Sequence, residues 1–192
     1  MVLLYKVYKI KGKSIVLLSV LLILIIVITN YSTSILKCFY PVKFKESVVG
    51  FSMQYGVDPY LTFAIIRAES GFKLDAVSSK NASGLMQIAD STAEWATAEM
   101  GYENYKPADL FDPEKNIQIG CWYLRWLIDN LGDIDLAIAA YNGGIGNVKE
   151  WLKNRDLSSS GLSLDKIPFR ETEKYVEKVK NNYYVYKKIY NE

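Results

Sequence analysis

The chain has 192 residues, half of them hydrophobic, which is enough for one domain with a buried core and a short additional segment. Its net charge of +2 is unevenly spread, because residues 1–36 contain four lysines and no acid, which leaves 19 basic and 21 acidic residues in the remainder. Such a slightly acidic domain lacks the basic surface that nucleic-acid binding requires. The sequence contains no histidine, which excludes enzymes with an imidazole base and most zinc enzymes and leaves carboxylates, lysines and tyrosines for proton transfer.

An apolar segment lies near the N terminus. Residues 15–28 are aliphatic except for Ser19, and no charge follows them until Lys37. This length is enough to span a bilayer. The segment is preceded by four lysines of the kind that mark a cytoplasmic flank, Lys6, Lys9, Lys11 and Lys13.

The charge pattern predicts three parts. Residues 1–36 are expected to form a cytoplasmic lysine-rich end and a single-pass transmembrane signal-anchor, followed by a short linker at residues 37–45. Residues 46–192 are then a domain on the extracytoplasmic side of the cell membrane. A cleaved signal peptide is the alternative, although no small-x-small cleavage site follows the apolar run.

Two helices are predicted at the start of this domain. Apolar side chains recur at three- and four-residue steps over residues 42–55, and Gly56 ends the pattern. Asp58 and Pro59 supply a cap and a first-turn proline for a second helix that ends by Gly71. Glu69 is therefore expected in the last turn of that helix.

The middle of the chain is predicted to be loop, short helix and loop. Residues 72–84 are rich in serine, lysine and asparagine, which favours a loop. Asp90 and Ser91 are suited to cap a short helix that runs through Met100. Another loop is expected from there to Phe111.

The last third is predicted to be helical. Asp112 and Pro113 repeat the cap-and-proline signal before a continuous apolar stripe that ends at Gly132. Shorter helices are expected over residues 133–141 and 145–154, and a final helix from residue 171 onward. No stretch alternates with a period of two for long, so an all-α domain is expected.

Glu69 is the first candidate for chemistry. Ile65 and Ile66 lie one turn before it, so its carboxyl borders the apolar face of the helix. Burial disfavours the charged form of a carboxyl and raises its pKa, as a general acid working near neutral pH requires. An ordinary exposed glutamate at a helix end is the alternative that these residues alone leave open.

Four short motifs follow one another along the chain, at residues 68–72 (AESGF), 84–88 (GLMQI), 140–144 (AYNGG) and 171–176 (ETEKYV). Their order and spacing resemble the catalytic domain of the soluble lytic transglycosylase group. The resemblance covers about residues 42–186 and implies a goose-type lysozyme-like fold.

The resemblance also implies roles for particular residues. Glu69 matches the single catalytic acid of the family, and the implied substrate-binding residues are Ser78, Met86, Gln87, Tyr141, Asn142, Glu171 and Tyr175. Simpler interpretations remain for some of them, because Met86 and Tyr141 suit a core and Glu171 suits the first turn of a helix. One departure is visible: family members commonly have methionine and proline after the second motif, whereas this chain has Ala89 and Asp90.

The implied activity is non-hydrolytic cleavage of the MurNAc-β-1,4-GlcNAc bond of peptidoglycan, which leaves 1,6-anhydro-MurNAc ends and needs neither metal nor cofactor. Two alternatives stay open. A hydrolytic muramidase on the same fold would add water to the same bond. A noncatalytic peptidoglycan-binding subunit of an envelope-spanning complex, such as secretion or conjugation machinery, would keep the groove without turnover.

Overall fold

The structure, a computed structural model, describes residues 12–190, so Lys6, Lys9 and Lys11 of the basic flank lie outside the described residues. The chain divides into two compact units, Met1–Pro41 and Val42–Glu192. Each unit is described by itself below.

The described part of the first unit is dominated by one long helix, α1 (Gly12–Phe39). The large aliphatic side chains from Ile15 to Ile28 are 47 to 71% exposed. The predicted transmembrane helix has no counterpart among the described residues, none of whose helices is long and apolar enough to cross a membrane. Because α1 continues to Phe39, the first three residues of the expected linker are helical.

The second unit is mostly helical. Its helices, in chain order, are α2 (Lys45–Gln54), α3 (Pro59–Glu69), α4 (Asp90–Glu99), α5 (Pro113–Leu131), α6 (Ile134–Gly143), α7 (Ile145–Lys153) and α8 (Arg170–Tyr190). A 3₁₀ helix, Pro107–Phe111, lies in the loop predicted before α5. Two short antiparallel strands, β1 (Ala82–Ser83) and β2 (Ile88–Ala89), pair with each other.

Helix α3 lies at the centre of the core. Its side chains from Leu61 to Ile66 are buried on every side, as is usual for a helix surrounded by others. It packs most extensively against α8 and also against α2. Asp58 caps its first turn by accepting a hydrogen bond from the Tyr60 N–H at 2.9 Å, and Pro59 occupies the first helical position, as predicted. Glu69 is its last residue.

Helix α5 also follows the sequence signals closely. Asp112 accepts a hydrogen bond from the Lys115 N–H, Pro113 begins the helix, and Gly132 ends it in a left-handed conformation. Its buried face packs against α2, α4 and α6. The apolar stripe of the sequence thus becomes the surface on which these three helices pack.

Two predictions of local structure are corrected. The expected all-α domain contains the strand pair β1–β2, which is too short to produce a visible period of two. Asp90 does not cap α4: Ala89 holds the cap position without a side-chain hydrogen bond, and Asp90 is the first helical residue. The Asp90 carboxylate instead accepts a hydrogen bond from the Tyr105 hydroxyl at 2.7 Å.

Candidate active site

A cleft of about 240 Å³ opens at the end of α3. It is lined by residues from separate parts of the chain: Glu69, Ser78, Lys80, Ala82, Gln87, Ile88, Ala89, Thr92, Tyr123, Tyr141, Asn142 and Glu171. The volume is below the range of pockets that enclose a whole small ligand. The cleft therefore suits one part of a ligand that continues beyond it.

Glu69 is the most strongly perturbed acid of the cleft. The pKa of its carboxyl is raised from 4.5 to about 7, chiefly by burial and to a smaller extent by the nearby charge of Glu171. The Tyr175 hydroxyl and the positive charge of Lys178 act in the opposite direction, but burial outweighs both. Near neutral pH a large fraction of Glu69 is therefore protonated and able to donate a proton.

Tyr175 is not among the residues that line the cleft, but it lies close to Glu69. The residue is only 8% exposed, and its hydroxyl makes no hydrogen bond of ordinary length and angle with any of the described residues. The hydroxyl nevertheless lies close enough to the Glu69 carboxyl to lower the pKa of Glu69. Burial and the neighbouring Glu69 raise the pKa of Tyr175 itself, so the phenol stays protonated.

Ser78 holds the loop that forms one rim of the cleft. Its hydroxyl oxygen accepts hydrogen bonds from the Lys80 N–H at 3.2 Å and the Ala82 N–H at 3.0 Å. Its backbone N–H donates to the Ala82 carbonyl at 2.9 Å. Because a serine hydroxyl still has one hydrogen to donate after accepting, the loop presents a donor to the cleft.

Gln87 lies in the cleft with an unusual backbone conformation, a φ of 47°. Its side-chain amide donates to the carbonyls of Ala76 at 2.9 Å and Gly84 at 2.8 Å. A left-handed conformation costs about 1 kcal/mol for a residue with a side chain, and such residues are concentrated at functional sites. The amide thus fastens the rim loop while the residue faces the cleft.

Tyr141 and Asn142 close the cleft from the end of α6. The Tyr141 hydroxyl donates to the Met86 carbonyl at 2.9 Å, and burial raises the pKa of Tyr141 well above its ordinary value. The Asn142 side chain accepts a hydrogen bond from the Thr172 hydroxyl at 2.8 Å. These bonds join the second, third and fourth sequence motifs around Glu69.

Met86 is not among the residues that line the cleft. Its side chain is completely buried and lies against Gly120, where an added Cβ atom would come within 2.2 Å of the Met86 sulfur. The structure corrects its expected contact with substrate: Met86 packs in the core, and its carbonyl orients Tyr141.

The comparisons with known proteins bear on this site. Residues 50–160 match the family model described as the transglycosylase SLT domain. The chain belongs to the transglycosylase SLT domain family. The match contains the first three motifs, whereas residues 171–176 on α8 lie beyond it.

Individual relatives agree with this membership. This chain is 33% identical over 143 residues to a soluble lytic murein transglycosylase of Salmonella typhimurium. The alignment covers 73% of this chain and 22% of that protein. It is 40% identical over 123 residues to a membrane-bound lytic murein transglycosylase C of Edwardsiella ictaluri, in an alignment that covers 55% of this chain and 32% of that protein. The chain thus spans less than a third of the length of these relatives.

A solved structure shows the same fold. The 70 kDa soluble lytic transglycosylase of Escherichia coli superposes with a TM-score of 0.73 at 31% identity, over 80% of this chain and 25% of that one. The second unit therefore has the mostly helical, lysozyme-like fold of lytic transglycosylases, as the sequence predicted.

Sequence reasoning missed several residues of the SLT domain cleft. Lys80 lies at the tip of the rim loop and forms an ion pair with Glu171 at 3.3 Å, both side chains being about 70% exposed. Thr92 and Tyr123 also line the cleft, and the Tyr123 ring lies 5.4 Å from that of Tyr141. None of them belongs to a motif, and only the folded chain brings them to Glu69.

Asn116 was also missed, although it holds the backbone of residues next to the cleft. It is buried and accepts a hydrogen bond from the Met86 N–H at 2.8 Å. It donates to the carbonyls of Ser83 at 3.0 Å and Leu110 at 2.9 Å. Its one sequence signal is an amide at the edge of the apolar stripe of α5, because a buried polar side chain requires partners.

The tryptophans separate into two groups. Trp151 is buried, whereas the other three are half-buried. The ring of Trp95 on α4 lies 5.2 Å from that of Trp122 and 4.7 Å from that of Trp126, both on α5. Packing between the two helices accounts for these contacts.

Proposed function

We propose that this chain is a peptidoglycan lytic transglycosylase in which Glu69 is the catalytic acid and base. The observation that carries the proposal is the Glu69 carboxyl, whose pKa is raised to about 7 in a cleft bordered by side chains from all four motifs. A general acid is most effective when its pKa lies near the working pH. Membership of the SLT domain family and the names of the relatives support the same reaction.

In the proposed reaction, Glu69 protonates the oxygen of the glycosidic bond that follows an N-acetylmuramic acid residue. The bond between this oxygen and C1 breaks, and the N-acetyl group of the same sugar stabilises the positive charge that develops at C1. The Glu69 carboxylate then takes the proton of the C6 hydroxyl, whose oxygen bonds to C1. The ring closes to the 1,6-anhydro form, Glu69 is protonated again, and no water is consumed.

The other cleft residues suit the binding of a sugar. Ser78, Gln87, Tyr141 and Asn142 present hydroxyl and amide groups beside Glu69, and we assign them to substrate binding together with Glu171. Tyr175 is assigned to the support of the Glu69 carboxyl, whose ionisation it affects. No role is assigned to the Met86 side chain.

The carboxylates near Glu69 favour this mechanism over hydrolysis. An ordinary glycosidase needs a second carboxylate as nucleophile or base beside the acid. Among the described residues, Glu171 is the one other carboxylate that lines the cleft, and it is highly exposed and paired with Lys80. Asp90, the extra acid next to the second motif, is bonded to Tyr105 outside the lining.

We also propose that the chain associates with the cell membrane through its apolar N-terminal segment, with the second unit on the extracytoplasmic side. The exposed aliphatic side chains of α1 and the lysines before them support this, as do relatives named membrane-bound. Peptidoglycan, the proposed substrate, lies on that side of the membrane.

The test is mass spectrometry of the fragments that the full-length chain releases from purified peptidoglycan. The matched control is Glu69→Gln, which keeps the size of the side chain and its hydrogen-bonding capacity but removes its acid. We expect muropeptides that end in 1,6-anhydromuramic acid and are lighter than hydrolytic products by one water. Their release should fall by at least about a thousandfold in the control, because glutamine can neither donate the proton to the glycosidic oxygen nor accept the proton of the C6 hydroxyl.

The other outcomes point to the alternatives. Glu69-dependent products with hydrated reducing ends would identify a muramidase. Binding of peptidoglycan without Glu69-dependent release would instead favour a noncatalytic subunit of an envelope-spanning complex.

A further inference from the structure

One face of α8 presents three ionisable side chains to the end of α3. Glu171, Tyr175 and Lys178 are spaced by four and three residues, so they lie in a row along the helix. Each of the three affects the ionisation of Glu69. The sequence motif contains the first two, whereas Lys178 lies beyond it.

Lys178 also makes a direct contact with the backbone next to Glu69. Its ammonium group donates a hydrogen bond of 2.6 Å to the carbonyl of Ala68. The N–H of Phe72, which would bond to that carbonyl if α3 continued, bonds instead to the Ser70 hydroxyl at 3.1 Å. Carbonyls in the last turn of a helix lack partners within the helix, and a lysine there also interacts favourably with the helix dipole.

A second contact one turn away repeats the arrangement. The Asn182 amide donates to the carbonyl of Ala64 at 3.3 Å and accepts from the Arg67 guanidinium at 3.3 Å. Positions 178 and 182 on α8 thus face positions 68 and 64 on α3. The position of Lys178 is therefore set by the packing of the two helices, although its side chain is itself exposed.

We propose that Lys178 is a positioning residue for the reaction: it fixes the last turn of α3 through the Ala68 carbonyl and holds a positive charge beside Glu69. The inference rests on the proposed role of Glu69 as acid and base. In the second half of the reaction Glu69 must exist as a carboxylate inside a largely buried site, which is costly without a nearby cation. Lys178 stabilises that carboxylate and so helps Glu69 to alternate between its two forms.

The groups that face Glu69 make the sign of the effect clear. Lys178 and the Tyr175 hydroxyl, both from α8, lower the pKa of Glu69, whereas Glu171 raises it. Tyr141 from α6 is also close to Glu69, but its own raised pKa keeps it neutral. Lys178 is thus the one positive charge among the groups of the described residues that shift this pKa, and its removal should raise it.

The experiment is a pH profile of kcat/KM for the full-length chain on purified peptidoglycan, with Lys178→Met and Lys178→Arg compared with the unaltered chain. The alkaline limb reports loss of the proton from Glu69 in the free enzyme. We expect Lys178→Met to move this limb upward by at least about 0.5 pH unit, and Lys178→Arg to restore it. Added salt should move the limb upward in the unaltered chain, because Lys178 is exposed and salt screens its charge. In Lys178→Met salt should move the limb slightly downward, because only the charge of Glu171, which raises the pKa of Glu69, is left to be screened.

Lys174→Met is the matched control. Lys174 is an exposed lysine on the same helix, one turn before Lys178, and it is not among the groups that shift the pKa of Glu69. Its alkaline limb should stay where it is in the unaltered chain. An unchanged limb in Lys178→Met, with release still dependent on Glu69, would overturn the inference and leave the proposed function standing.

A variant that loses stability is still informative. If Lys178→Met melts too early for a full profile, the carboxyl of Glu69 can be titrated by NMR at low temperature. An upward shift of its midpoint supports the inference, and the same midpoint as in the unaltered chain overturns it.

Discussion

At Glu69 the free energy of folding and the chemistry of the site depend on the same proton. The residue follows Ile65 and Ile66, which are completely buried, and its own carboxyl is largely shielded from water by burial. A protonated carboxyl is accommodated there at little cost, whereas the carboxylate is partly deprived of water. The raised pKa is therefore also a statement about stability.

The sign follows from the two pKa values. Between about pH 4.5 and 7 the folded chain binds more protons at Glu69 than the unfolded chain does, so stability falls as the pH rises through this range. Well above pH 7 the folded chain has lost all of the stability that the proton on Glu69 contributes. Glu69→Gln removes this pH-dependent cost because glutamine carries no charge.

We therefore expect Glu69→Gln to be more stable than the unaltered chain at pH 8, by about 1–3 kcal/mol after allowing for partial contact with solvent. At pH 4 the two proteins should unfold at similar denaturant concentrations. Urea titrations at both values measure the difference. The same difference at pH 4 and pH 8 would mean that burial does not perturb the carboxyl.

At the scale of elements, the strand pair β1–β2 and its connection place one wall of the cleft. Gly84 lies between the strands with a φ of 77°, and its N–H donates to the Ala76 carbonyl at 2.9 Å. A Cβ atom there would lie 2.0 Å from the Leu110 carbonyl oxygen and 2.3 Å from the Asn116 side chain. The segment between β1 and β2 can lie this close to Leu110 and Asn116 only because residue 84 has no side chain.

Gly84→Ala should consequently destabilise the protein by more than about 2 kcal/mol, since left-handed backbone strain adds to the clash. Gly101→Ala separates the two contributions, because Gly101 has a φ of 71° but open space around its Cβ position. It should cost only about 1 kcal/mol. Urea unfolding of both variants provides the measurement, and equal losses would exclude the clash as the cause.

The same elements explain what the sequence could predict. Helices α3 and α5 carry a capping aspartate, a first-turn proline and a regular apolar pattern, so their ends were located within two residues. The strands β1 and β2 have two residues each, which is too short for any periodic signal. The 3₁₀ helix before α5 was missed for the same reason.

The cleft was predictable where motifs mark it and not elsewhere. Glu69 stands out because aliphatic residues precede it on its helix, and the remaining motif residues came from resemblance. Lys80, Thr92 and Tyr123 reach the cleft only through the packing of α4, α5 and the rim loop. Met86 shows the opposite error, since a motif residue can serve the backbone of the site while its side chain packs in the core.

At the scale of the whole molecule, the two units differ in what they expose. The second unit buries most of its large aliphatic residues in a helical core, whereas α1 exposes nearly all of its own. Apolar surface of this extent marks a site of interaction with membrane or protein. The lysines before α1 favour the surface of a membrane, whose cytoplasmic leaflet is anionic.

This argument predicts the behaviour of a doubly substituted chain, Leu21→Glu with Ile25→Glu. Two carboxylates on adjacent turns of α1 should weaken its binding to the apolar part of a membrane, because each charge would have to lose its hydration, and should release a chain held by this segment. After lysis and centrifugation, the unaltered chain should sediment with membranes and the double variant should stay in the supernatant. Leu162→Glu with Phe169→Glu is the control, because both residues are exposed on the second unit, and it should sediment like the unaltered chain. If the α1 variant sediments as well, the segment is not what holds the chain at the membrane, and contacts of the second unit with the cell wall or with a partner protein become the better explanation.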